Sequence, residues 1–247
     1  MNPRTKKSSV WRRISRGRNS WMLLAAAAVA LAAVTIPQVQ SAENQSELRE
    51  KAQKLFNDGN RQEAFELYEQ LALDPETDPT KVGFDLQMAI NCLENLNRVN
   101  EIDAFREKVI DVHKENWRLL HAAAKSYLQV QHNGFMIAGE YERGQHRGGG
   151  QPAHSFEHDR VRALQLYVQA VAAAKEDPDQ SATGQLYLDF ARALVGGRGY
   201  AQGAWQMQYL SDLTELPDYE EGWFYGGGRN QGAPVDAEGN PVFYDVP

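Results

Sequence analysis

The stretch that decides the fold is SELREKAQKLFNDGNRQEAFELYEQLALDP, Ser46 to Pro75. Leu48, Ala52 and Leu55 recur at helical spacing, so one apolar face runs through the first half. Asp58-Gly59-Asn60 interrupts it, and a glycine there can adopt the left-handed conformation that ends a helix. Ala64, Leu67, Tyr68 and Leu71 then mark a second helix, closed by Asp74-Pro75. Two short helices around a tight turn predict a helical hairpin.

The unit recurs. Ala89, Cys92, Leu96 and Phe105 stand where the first unit has Ala52, Leu55, Gly59 and Tyr68, each with the same offset along the chain. NWRLLHAAAKSYLQV, Asn116 to Val130, supplies a third first-helix through Leu120, Ala124 and Tyr127 or Leu128. Its partner follows only after a long interruption, in SFEHDRVRALQLYVQAVAAAKEDPD. There Val161, Leu164, Val168 and Val171 form one stripe, with Ala163, Tyr167, Ala170 and Ala174 beside it, and Ser155 is the expected N-cap. ATGQLYLDFARAL and YAQGAWQMQYLSDL make a fourth pair. Small residues at helix contacts and an aromatic facing the next unit resemble the tetratricopeptide repeat. The resemblance implies an all-α, TPR-like α-solenoid of about four helical hairpins over residues 46–216. Stacking of several units buries what one pair leaves exposed.

The interruption, residues 131–158, adds more than 20 residues to a connection that usually takes roughly 2–8. It contains GEYERGQHRGGGQPAHSFEHDR, Gly139 to Arg160. Its aromatic and aliphatic residues, Phe135, Met136, Ile137, Tyr141 and Phe156, argue for order. An ordered irregular loop packed on the repeats is expected, covering a seam or binding a partner through Glu140, Glu142, Arg143, His146 and Arg147. The alternative is a metal site on His146, His154 and His158, although their spacing matches no zinc motif.

Residues 1–41 carry seven Lys or Arg and no acid, and Trp21 to Ile36 is apolar apart from Thr35. A basic start, an apolar stretch and small residues near Ser41 and Ala42 predict a secretory signal peptide. A retained signal anchor over residues 21–36 is the alternative, though that run is short against the ~20 residues that span a bilayer. Either way the chain is exported, to the periplasm or cell envelope, and meets a membrane only through that segment. Losing the seven basic residues takes the net charge from −7 to −14. Such an acidic product lacks the clustered cations that nucleic-acid phosphates require. The single cysteine, Cys92, lies at apolar spacing and reads as a buried small residue. Neither glycine run fits a phosphate-binding loop, and no GxSxG or carboxylate pair stands out, so neither a cofactor nor an enzyme is expected.

GFMIAGEYERGQHRGGG, RVRALQLYVQA and GAPVDAEGNPVFYDVP resemble the N-terminal helical region of large bacterial alpha-2-macroglobulin-like proteins. That family traps proteases with macroglobulin β-sandwich domains and often a Cys-x-Glu-Gln thioester. CLEN, Cys92 to Asn95, has asparagine where the thioester needs glutamine. The resemblance therefore implies an accessory or truncated front part of such a system, without trapping activity of its own. Residues 217–247 read as an irregular Gly/Pro-rich tail, with a small hairpin turning at Glu238-Gly239-Asn240 or packing back on the array. The function expected from the residues is an exported, non-catalytic scaffold for a protein or peptide partner. N-terminal sequencing of the exported protein tests the signal reading: the mature chain should begin at Ala42 or Glu43, and a chain still starting at Met1 would mean an anchor.

Overall fold

The first hairpin forms as its apolar spacing requires. In the computed structural model, which describes residues 44–195 and 213–224, helix α1 runs over residues 44–57 and α2 over Arg61–Leu73. Gly59 between them has φ +88°, a left-handed geometry that costs glycine nothing. Five more α-helices lie in the first described stretch, beginning with α3 Val82–Asn95, α4 Ile102–Val112, α5 Trp117–Gln129 and α6 Phe156–Ala173. Helix α7 spans Gln180–Val195. The signal segment, nearly all of the helix expected over 200–213 and the hairpin of the tail lie outside the described residues.

Apolar burial along each helix sets the packing. Ala52, Ala64, Tyr68, Ala89, Cys92 and Phe105 are all buried in one core, whereas Leu55 and Leu96 of the recurring sets are half-buried and Gly59 is exposed. Helix α2 packs on α3, α5 on α6, and α6 on α7. Alternate helices also touch. Arg49 on α1 makes a bidentate pair with buried Asp85 on α3, at 2.8–3.0 Å. Burial pushes the Asp85 carboxyl up by more than Arg49 pulls it down. Helix α3 packs on α5, and His121 on α5 reaches Asp189 on α7 at 3.0 Å. In the other set, Phe65 on α2 meets Phe105 on α4 edge-to-face at 5.7 Å. Glu107 on α4 accepts two hydrogen bonds from Arg162 on α6.

Two helix details differ from expectation. On α6, Val161 and Leu164 of the first stripe are buried together with Ala163, Tyr167, Ala170 and Ala174, while Val168 is 46% exposed. Ser155 does stand at the N-cap of α6, but its hydroxyl caps no backbone N–H. Asn116 before α5 does cap, accepting from the N–H groups of Arg118 and Leu119.

The protein is mostly helical but not all-α. The expected irregular loop 131–158 folds as three strands: β1 Asn133–Ile137, β2 Glu140–Arg143 and β3 Gln151–His154. Part of the expected irregular tail adds a fourth, β4 Glu220–Glu221, giving an antiparallel sheet of order β2-β1-β3-β4. Ile137 pairs with Glu140, so the β1–β2 turn is only Ala138-Gly139, with φ +53° and +89°. Positive φ at both central positions matches the right-handed twist of a two-residue hairpin.

Close approach of α3 to α5 gives a direct test. A Cβ on Gly83 would sit 2.9 Å from the Cβ of Ala122, whereas one on Gly184 in α7 meets nothing. Gly83→Val should destabilise by about 1–3 kcal/mol in denaturant titration. Gly184→Ala should stabilise by about 0.5–1 kcal/mol.

Candidate functional site

The insert is not an exposed recognition loop at its most basic residue. Arg143, last in β2, is only 3% exposed. Its Nε and Nη2 donate to Asp103 at 2.9 and 3.0 Å, and its Nη1 and Nη2 donate to Asp159 at 2.9 and 3.0 Å. Nη1 also donates to the Gln131 carbonyl and to Ser155 Oγ. Every N–H of the guanidinium therefore meets an acceptor. Ser155 Oγ donates to Asp159 at 2.5 Å, which is why it does not cap α6, and His132 Nδ1 lies 2.8 Å from the same carboxylate.

The charges continue into the helices. Asp103 also accepts from fully buried Arg106, whose guanidinium lies 3.3 Å over the Tyr127 ring. Tyr127 donates to Glu107, and Glu107 pairs with Arg162. From Asp159 through Arg143, Asp103, Arg106 and Glu107 to Arg162, signs alternate and cancel. Groups on β2, α4, α5 and α6 are thereby tied together. Burial pulls the Arg143 guanidinium down, but its two carboxylates hold it well above its ordinary value. Burial pushes the Asp159 carboxyl up, yet His132 and Arg143 outweigh that and hold it far below the usual carboxylate range. His158 Nδ1 stands 3.8 Å away, too far for a hydrogen bond.

The other expected loop residues divide. Glu140 and Arg147 are exposed, Glu142 and His146 are half-buried, and Glu142 lies 3.4 Å from His146. Arg143 leaves the candidate binding set, because strand pairing turns it inward. The three histidines of the metal reading have separate partners. His146 faces Glu142 and Phe135, His154 lies against Phe224, and His158 stacks on Tyr219 at 4.5 Å. Among the described residues no group of three or more His, Cys, Asp or Glu side chains is placed to hold a metal ion. Residues flanking β4, Tyr219 before it and Phe224 after it, make two of these contacts. Asn133 exchanges a pair of hydrogen bonds with the Phe224 backbone, and Phe224 stacks on Phe156 at 4.4 Å. Tyr219 stacks on Tyr141 at 4.3 Å.

Beside this junction, α5, α6 and α7 enclose an open cleft of about 330 Å³. Leu128, Phe156, Tyr167 and Ala193 line its apolar part, and Lys125, Arg160, Arg192 and Asp189 its polar part. No spacing in the sequence joins these residues, since they come from three helices. Burial holds the His121 imidazole at the back of Asp189 below its usual value, although Asp189 pulls it up. Burial likewise pushes the Asp189 carboxyl up, but hydrogen bonds from His121, Lys125 and Gln185 bring it below the usual range. Buried Cys92 has its thiol pushed up to about 11, which makes it a poor nucleophile.

No protein-family model matches this chain, and no curated protein or solved structure matches it either. Among the described residues no helix is long and apolar enough to cross a membrane.

Arg143→Met should lower stability by about 3–5 kcal/mol, because it leaves buried Asp159 without its arginine, while Asp103 keeps Arg106. Glu140→Gln or Arg147→Ala should change it by less than about 0.5 kcal/mol. The pH dependence follows from Asp159. Its carboxyl is depressed in the folded state, so its stabilisation is complete above the unfolded value of about 3.9 and drains away as pH falls below that. Thermal melts between about pH 7 and 2 should show this loss, and Asp159→Asn should flatten it.

Proposed function

We propose that this chain is an exported, non-catalytic helical-repeat scaffold, TPR-like in construction, that holds a protein or peptide partner. The observation that carries the reading is the contact between alternate helices: α1 with α3, α3 with α5 and α5 with α7, then α2 with α4 and α4 with α6. Stacked hairpins produce this pattern, because each first helix must cover the seam of the next. Burial of Ala52 with Ala89 and of Tyr68 with Phe105 supports the repeat alignment. An elevated Cys92 thiol and histidines engaged by carboxylates, aromatics and backbone carbonyls support a role in shape recognition. The open cleft beside the insert offers a concave surface for an extended segment.

Crosslinking mass spectrometry on intact envelopes tests this. One partner should be recovered at a fixed ratio, joined through Lys81 at the start of α3 and Lys125 on α5, the first helices of successive pairs. Crosslinks scattered over unrelated abundant proteins, or substrate turnover by the purified chain, would remove the reading.

A further inference from the structure

The overall charge is −7, yet the cleft between α5, α6 and α7 gathers cations. Lys125, Arg160 and Arg192 line it, with Asp189 as the acid among the lining residues; Arg160 is paired with Glu157 at 3.2 Å, so the exposed cations are Lys125 and Arg192. That acid is heavily shared. Asp189 lies 3.0 Å from His121 Nε2, accepts from Gln185 at 2.8 Å, and pairs with both Lys125 and Arg192 at 3.3 Å. One carboxylate between two exposed cations leaves a positive surplus at the rim. Lys125 and Arg192 have side chains 44% and 68% exposed, so both can turn to a ligand.

Beneath these cations the cleft is apolar. Leu128, Phe156 and Ala193 line it, together with Tyr167, whose ring stacks on Phe190 at 5.4 Å. A volume of about 330 Å³ accommodates one large side chain and the backbone on either side. A simple anion would leave the apolar surface wet, and a neutral hydrophobe would leave the rim charges without a partner. A ligand that satisfies both has an apolar body with carboxylates close to it. The cleft is open to solvent, so a chain can enter and leave it.

We propose that this cleft is the anchor site of the scaffold: it takes an aromatic or branched aliphatic side chain flanked by Asp or Glu, within a peptide segment of the partner. This rests on the scaffold reading above. The apolar side chain lies against Tyr167 and Phe156, and the flanking carboxylates meet Lys125 and Arg192. A lysine-flanked segment is repelled at the same rim.

Fluorescence anisotropy with the full chain tests it. The probe is a fluorescein-labelled, C-terminally amidated peptide of sequence Gly-Ser-Asp-Phe-Asp-Ser-Gly, compared with Lys in place of both Asp and with Ala in place of Phe. The acidic aromatic peptide should bind, more weakly as salt rises, and both controls should bind about tenfold more weakly or not at all. The double variant Lys125→Glu/Arg192→Glu should lose about tenfold in affinity with its melting temperature retained. Lys125→Gln/Arg192→Gln, a milder change at the same exposed positions, should weaken binding in the same direction. Equal binding of the Asp and Lys peptides, or unchanged affinity in both double variants, would overturn the proposal. Displacement of the peptide by N-acetylphenylalanine at matched concentration would assign the cleft to a free organic acid, and would equally overturn it. If the double variants still recover the envelope partner as well as the natural chain does, the scaffold stands and the cleft is not its anchor.

Discussion

A guanidinium buried between two carboxylates constrains this structure more than any other interaction. Isolated burial of Arg143 would be prohibitive, and so would burial of Asp159. Each is tolerable only because the other is present, with Asp103, Ser155 and the Gln131 carbonyl completing the shell. Those partners come from α4, from the segment before β1, from the residue between β3 and α6, and from α6 itself. The charges therefore fix where the hairpin sits on the helices and also its register. A shift of one residue along β2 would turn Arg143 to the opposite face of the sheet.

This cage turns a long insertion into part of the core. The three strands do not hang from the α5–α6 connection. They close over α4 and α6 and receive the later segment that ends in Phe224. His132 and Phe156 belong to both regions: they bracket the aromatic contacts under Phe224 and also line the cleft. The cleft's shape thus depends on the sheet being seated. Binding at a concave site requires walls that are already in place, since ordering them on contact would subtract from affinity.

Helices were legible from the sequence because their signal is local and repeated. Apolar spacing located α1 to α6, and Gly59 and Asn116 lie at helix ends for reasons that act within a few residues. The sheet was not legible. Phe135, Met136 and Ile137 are adjacent, so no alternation marks a strand, and the two-residue turn uses Ala138 where asparagine or aspartate is the usual signal. Arg143 read as a surface cation because its acids lie 40 and 16 residues away in the chain. The cleft was invisible for the same reason, being made of side chains brought together by three helices. On α6 the period set the valine stripe beside the alanine–tyrosine stripe, and the fold buries most of both, leaving Val168 outward.

Hydrogen–deuterium exchange read residue by residue in native conditions tests the central claim most directly. If the Arg143 cage joins sheet and helices into one cooperative unit, the hydrogen-bonded amides of β1 to β3 and that of Gly144, which donates to the Asn133 carbonyl, should exchange through the same opening as the middle of α6. Strand amides that exchange as fast as an exposed loop while α6 stays protected would contradict it.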